Sequence, residues 1–83
     1  MQITLVSKVL DDTTSHTTFT VAIAGGTNLA NMLVRQLQRL LPLNTCLIDA
    51  HPHGRQVIFT VVDVEQARIR LQSLLPTLAE HVT

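Results

Sequence analysis

The amino-acid sequence predicts an α+β fold, a two-layer sandwich built from two strand–strand–helix units in a single domain over residues 1–83. The main observation is a near-repeat in which Phe19-Thr20-Val21 recurs as Phe59-Thr60-Val61. Each copy leads into a helical pattern that ends in Leu-Leu-Pro. The second observation is the spacing of apolar residues, which changes from every second position to every third or fourth within each unit. Together they predict the element order ββαββα.

Two strands open the chain. Residues 2–10 alternate in character and are rich in β-branched side chains, and a polar cluster at residues 11–16 predicts a turn. Residues 17–24 form the second predicted strand. Alternation points one set of its side chains toward the helices and another away from them. The inward set is Phe19, Val21 and Ile23, and the outward set is Thr18, Thr20 and Ala22.

The first helix is predicted to follow Gly25 and Gly26, with Thr27 or Asn28 as its N-cap. Its apolar side chains recur at helical spacing as far as residue 41, and Pro42 ends it. The apolar stripe consists of Leu29, Leu33, Leu37, Leu40 and Leu41.

The second half repeats this plan. Residues 45–50 form the third predicted strand, His51-Pro52-His53-Gly54 reads as a turn, and residues 56–62 form the fourth strand. Asp63 is the predicted cap of the second helix, and Pro76 predicts a kink or a restart within it. The apolar stripe of this helix consists of Val64, Ala67, Leu71, Leu74, Leu75 and Leu78.

The element order resembles that of the split βαβ (ferredoxin-like) sheet, with its last strand moved to the front of the chain. This circularly permuted ferredoxin-like arrangement predicts a four-stranded, mostly antiparallel sheet with strand order 1-2-4-3. Right-handed crossovers would place both helices on one face of the sheet. An exchange of two ββα units between chains is the alternative arrangement.

The composition limits the classes of function. Charged residues make up 14% of the chain and the formal net charge is zero, so little electrostatic repulsion keeps copies apart. A neutral chain also argues against nucleic-acid binding, which depends on cations that neutralise phosphates. One cysteine excludes an internal disulfide. No leader pattern or membrane-length apolar run occurs, so we expect a cytoplasmic protein that does not enter a membrane.

The sheet face turned away from the helices is predicted to be small, β-branched and almost uncharged. Such a face predicts a homodimer packed sheet to sheet, although threonine is also a good residue for an exposed strand. Both phenylalanines point inward, so the face lacks the aromatic platform of an RNA-recognition sheet. Its residues are Thr18, Thr20, Ala22, Ile58, Thr60 and Val62, with Thr4 and Val6 as further candidates.

The densest polar cluster comprises Asp49, His51 and His53. Along an extended strand these three side chains share one side, and a carboxylate with two imidazoles can ligate Zn²⁺ or another divalent metal. The alternative interpretation is a polar turn at the end of an edge strand. A zinc site is therefore a secondary prediction, and no other cofactor is expected.

The segment Gly25-Gly26-Thr27-Asn28 joins a strand to a helix N-terminus, where backbone N–H groups can hold an anion. In position it resembles the ligand loop of ACT-type amino-acid-sensing domains, which also lies between a strand and a helix. The resemblance is confined to this short segment, and the predicted strand order differs from that family's. It implies small-ligand sensing, while a simple glycine turn with a helix cap is the alternative.

The remaining polar residues do not form a catalytic pattern. Arg35 and Arg39 make a modest basic stripe, Cys46 reads as a small buried side chain, and no nucleophile–histidine–acid signature is present. We therefore expect a non-enzymatic interaction or regulatory module that acts as a homodimer, with a protein partner or a small ligand. Metal binding and small-ligand sensing are the alternatives.

Overall fold

The computed structural model describes residues 2–43 and 45–81, with only the backbone described at residues 74, 77, 78 and 81. The predicted order ββαββα is confirmed. The final helix is interrupted at Leu75, so the chain restarts at Pro76 as predicted. The elements are β1 (Gln2–Asp11), β2 (His16–Ala24), α1 (Thr27–Leu40), β3 (Leu47–His53), β4 (Gln56–Val61), α2 (Val64–Leu74) and α3 (Pro76–His81).

The four strands form one sheet in the order β1-β2-β4-β3, and every neighbouring pair is antiparallel. This confirms the predicted strand order and the ferredoxin-like type of sheet. β2 and β3 point the same way because β4 lies antiparallel between them, and α1 connects them across the sheet. A single chain supplies all four strands, so no exchange of units between chains is needed to complete the sheet.

The near-repeat lies at the centre of the sheet. Phe19 of β2 is directly opposite Phe59 of β4, and the two rings are stacked with centroids 5.2 Å apart and planes 25° from parallel. The two copies therefore pass each other antiparallel with the phenylalanine pair at their crossing point. An approximate twofold axis through that pair exchanges β2 with β4 and β1 with β3.

The hydrophobic core lies between the helices and one face of this sheet. The three residues predicted to face inward from β2 are buried, and the alternating residues of β4 are buried beside them: Phe19, Val21, Ile23, Val57, Phe59 and Val61. They form one cluster with side chains of α1 and α2. The side chains of Leu74 and Leu78, which the second stripe includes, lie outside the described residues. Among the described residues, the buried helix residues are Ala30, Leu33, Val34 and Leu37 of α1, Ala67 and Leu71 of α2 and Ala79 of α3.

The third strand begins two residues later and ends three residues later than predicted, so of the turn predicted over residues 51–54 only Gly54 lies in a turn. β3 continues to His53, and only Gly54 and Arg55 form the hairpin loop to β4. Pro52 is tolerated because β3 is an edge strand, where a missing N–H need not break the ladder. Gly54 has a φ of 63°, the positive value that a type II′ turn requires at its first central residue.

The start of the first helix also differs from the prediction. Gly26 is the N-cap of α1 and no side chain caps the helix, so Thr27 is already the first helical residue. Gly25 leaves β2 with a φ of 136°, and a Cβ atom at this position would overlap Cδ1 of Leu29. Only glycine makes this turn without strain. The predicted cap of the second helix is confirmed, because Asp63 Oδ1 accepts a hydrogen bond from the backbone N–H of Gln66 at 3.0 Å.

Strand β1 contains a bulge that the alternating pattern does not reveal. The pairing with β2 shifts register between Leu5 and Ser7. Before the bulge Leu5 lies opposite the buried Val21, but beyond it Lys8 lies opposite the buried Phe19. The extra residue therefore turns Ser7 and every second residue after it to the face of the sheet that lies away from the helices.

Candidate functional site

The face of the sheet opposite the helices is the candidate functional surface, and we call it the open face. Its central residues on β2 and β4 are Thr18, Thr20, Ala22, Ile58 and Thr60, and Val62 follows at the end of β4; all six side chains are half-buried. The Oγ1 atoms of Thr18 and Thr60 lie 3.0 Å apart in a hydrogen bond across the two strands. Packing another surface onto this face would therefore leave that pair of hydroxyl groups satisfied.

Strand β1 extends the open face. Thr4 lies opposite Ala22, as expected, and the bulge adds Ser7 and Val9 opposite Thr20 and Thr18. Val9 is 60% exposed. Val6 lies at the bulge itself, so pairing with β2 does not assign it to either face. Sequence alternation missed Ser7 and Val9 because a one-residue bulge reverses the inward and outward sets beyond it.

The third strand carries the polar rim of the open face. Asp49, His51 and His53 lie opposite Thr60, Ile58 and Gln56, so the three predicted metal ligands do share one side of the strand. His51 Nδ1 and Asp49 Oδ2 are 3.2 Å apart, and both side chains are more than half exposed.

Of these three described side chains, only Asp49 and His51 form a hydrogen bond with each other. Over residues 2–43 and 45–81, no three side chains of His, Cys, Asp or Glu gather in a group that could hold a metal ion. The zinc site of Asp49, His51 and His53 therefore stays a prediction.

The predicted ligand loop joins β2 to α1 at the surface. Gly25, Gly26, Thr27 and Asn28 are all exposed, and the first turn of α1 has no acidic residue. The two glycines have a structural role here, since Gly25 makes the turn and Gly26 is the N-cap. Ligand binding at this loop also stays a prediction.

The cysteine lies in the core, as predicted. Cys46 is buried in the turn just before β3, and its Sγ donates a weak hydrogen bond to the backbone oxygen of Asp63 at 3.8 Å. Burial raises the pKa of the Cys46 thiol, the charge of Asp63 raises this pKa further, and Arg70 acts in the opposite direction. The thiol is therefore protonated at neutral pH, which is typical of a packing residue rather than a nucleophile.

A second surface lies in the helix layer and was not predicted as a site. Two adjoining cavities flank α1, and both are lined by Gln36 and Arg39. The one nearer to α2 and α3 also contacts Leu40 and Leu75. The basic stripe of Arg35 and Arg39 could have pointed to this groove, but which helix packs beside α1 is a tertiary property.

Comparison with known proteins adds no family to this geometry. No protein-family model matches the chain, and neither the curated proteins nor the solved structures contain a match to it. Within the described residues, none of the helices combines the length and apolar character that crossing a membrane would require.

Proposed function

We propose that this chain is a non-enzymatic cytoplasmic interaction module that acts as a homodimer through its open face. The observation that carries the proposal is the uncharged centre of that face, where β-branched side chains lie half-buried and the described helices pack on the opposite face. Ile58 and Val62 are apolar side chains that gain from further burial, at about 25 cal/mol per Å² removed from water.

A second copy of the chain is the occupant that the charges favour. Among the described strand residues, those on the open face include no Lys or Arg. The acidic residues of this face, Asp11 and Asp49, lie toward the rim of the face. An uncharged centre matches itself about a twofold axis, and a chain of zero net charge does not repel its copy. Aligned packing of two such sheets would interdigitate their side chains.

The size of the face sets the expected strength of the dimer. Four strands about 4.8 Å apart and about 20 Å long give a footprint of roughly 400 Å² per copy. A standard stable interface covers about 800 Å² per partner. We therefore expect weak, concentration-dependent association in the micromolar to millimolar range, to which the exposed Val9 of β1 contributes additional area.

Light scattering after size exclusion, and sedimentation over a wide concentration range, test this proposal. The wild type should shift from monomer to dimer as its concentration rises. Thr20→Lys and Val62→Lys should abolish the shift, because an unpaired charge buried at an interface costs several kcal/mol.

The matched control is Gln38→Lys, which adds the same charge on the exposed side of α1. It should dimerise like the wild type. A wild type that stays monomeric at millimolar concentration, or three lysine variants that behave alike, would show that the open face is not the interface.

A further inference from the structure

The groove between α1 and the junction of α2 with α3 has the size of a small-ligand site. One cavity of about 210 Å³ is lined by Gln36, Arg39, Leu40 and Leu75. The adjoining cavity of about 230 Å³ is lined by Met32, Arg35, Gln36 and Arg39. Each cavity is smaller than the roughly 300 Å³ at which drug-sized pockets begin, and the two share Gln36 and Arg39, so the groove suits only a small ligand.

The charge of this groove is positive. Arg35 and Arg39 lie one turn apart on a helix that contains no acidic residue. Among the described residues, the close contacts between basic and acidic side chains are His51 with Asp49 and Arg68 with Glu65, so neither groove arginine has a carboxylate partner there. A guanidinium group donates two parallel hydrogen bonds to a carboxylate or a phosphate, which makes such a pair suited to an oxyanion.

The amide of Gln36 lies between the two arginines in sequence and lines both cavities. Its Oε1 atom is buried, and among the described residues it has no hydrogen-bond partner. An enclosed acceptor without a partner destabilises the free protein. An oxyanion does not satisfy this oxygen, because both are acceptors. The Nε2 group of the same amide is the donor that would meet the head group of a molecule in the groove.

The other wall of the groove is apolar. Leu40 and Leu75 are half-buried side chains that pack against the edge of the core. We infer that the groove binds a small amphiphilic oxyanion, with a carboxylate or phosphate monoester as its head group. The head group meets Arg35, Gln36 and Arg39, and a short branched aliphatic chain lies against the two leucines. This site is in the helix layer and does not depend on dimerisation through the open face.

Titrations of the full chain followed by amide chemical shifts test the inference with four probes. 4-Methylpentanoate and 3-methylbutyl phosphate carry both parts of the ligand, acetate lacks the chain, and 4-methylpentanamide lacks the charge. A ligand of about eight non-hydrogen atoms should reach a Kd near 1 mM. At least one of 4-methylpentanoate and 3-methylbutyl phosphate should bind with this affinity, and the amide shifts should be centred on α1 and residue 75. Whichever of the two binds more tightly identifies the preferred head group.

Substitutions distinguish side chains that recognise the ligand from side chains that only stabilise the fold. Arg39→Gln should weaken binding about tenfold or more, since it removes a charged hydrogen bond. Arg55→Gln, in the exposed hairpin loop, is the matched control and should bind like the wild type. Gln36→Leu should weaken binding and also raise the melting temperature, because it removes the unpaired buried oxygen. A structural role for this amide would instead lower the melting temperature.

The inference is overturned if neither amphiphilic anion binds near 1 mM. It is equally overturned if acetate or the uncharged amide binds as tightly as they do. Equal losses in Arg39→Gln and Arg55→Gln would show general charge attraction and no site. A lower melting temperature in Gln36→Leu would show that the fold itself uses this amide.

Discussion

The two halves of the near-repeat reach the same strand pairing but begin their helices differently. Phe19 and Phe59 stack at the centre of the sheet, so the strands are equivalent about that pair. In the first half the chain turns through Gly25 and enters α1 with no side-chain cap. In the second half Asp63 caps α2 through the backbone N–H of Gln66.

The helices also differ in how much they bury. Four side chains of α1 are buried, whereas among the described side chains of α2 only Ala67 and Leu71 are. Truncating a buried leucine costs about 2–5 kcal/mol, and losing a cap costs about 1 kcal/mol. Packing therefore holds α1 in place and can dispense with a cap, while α2 relies more on its local start signal.

The largest expected effect comes from core truncation in the two helices. Leu37 of α1 and Leu71 of α2 are both fully buried. We expect Leu37→Ala to lower the free energy of unfolding by about 3–5 kcal/mol and Leu71→Ala by about 2–3 kcal/mol. The second site lies near the helix break at Leu75, where the chain can partly collapse into the cavity. Urea denaturation measures both losses of unfolding free energy. An equal loss at the two sites, or a larger loss at Leu71, would contradict the difference in packing between the two helices.

The turn into α1 should give the next largest effect. Gly25→Ala puts a Cβ atom onto Leu29 and forces an L-residue into a positive φ, at a cost of roughly 1–3 kcal/mol. Gly26→Ser is the control, because the φ of Gly26 is −95°, a Cβ there would meet no atom within 4 Å, and serine is also favourable at an N-cap. Melting curves should show a clearly larger loss at position 25. A loss confined to position 26 would mean that the N-cap, and not the turn, limits this half.

The smallest expected effect concerns the cap of α2. Asp63→Ala should destabilise the protein by about 1 kcal/mol, because the backbone N–H of Gln66 loses its partner. Asp63→Asn should keep most of the stability, since an amide oxygen also caps. Thr27→Ala at the start of α1 should be close to neutral, because that helix has no side-chain cap. Comparable losses for Thr27→Ala and Asp63→Ala in denaturant titrations would remove the difference between the halves.

The fold was predictable because its signals are local and repeated. Alternation assigned the apolar inward residues of β2 and β4 but not the buried Thr17, and the Asp63 cap and the Pro76 restart follow from short-range backbone chemistry. The strand order followed from hairpin proximity and crossover handedness. The surface of β2 and β4 on the open face was therefore visible in the sequence, although its use as an interface is still a proposal.

Other features depended on tertiary context. Of the turn predicted at residues 51–54, residues 51–53 are strand, because β4 supplies pairing partners as far as His53 and an edge position tolerates Pro52. The bulge after Leu5 is set by pairing with β2 and brings Ser7 and Val9 to the open face.

The cavity lined by Gln36, Arg39 and Leu40 includes Leu75, which is distant from α1 in the chain. By itself the sequence determined which segments are strands and helices and which side of most of them is apolar, since alternation and helical spacing are properties of neighbouring residues. The tertiary structure decided register shifts, strand ends and cavities, because these depend on partners that are distant in the chain.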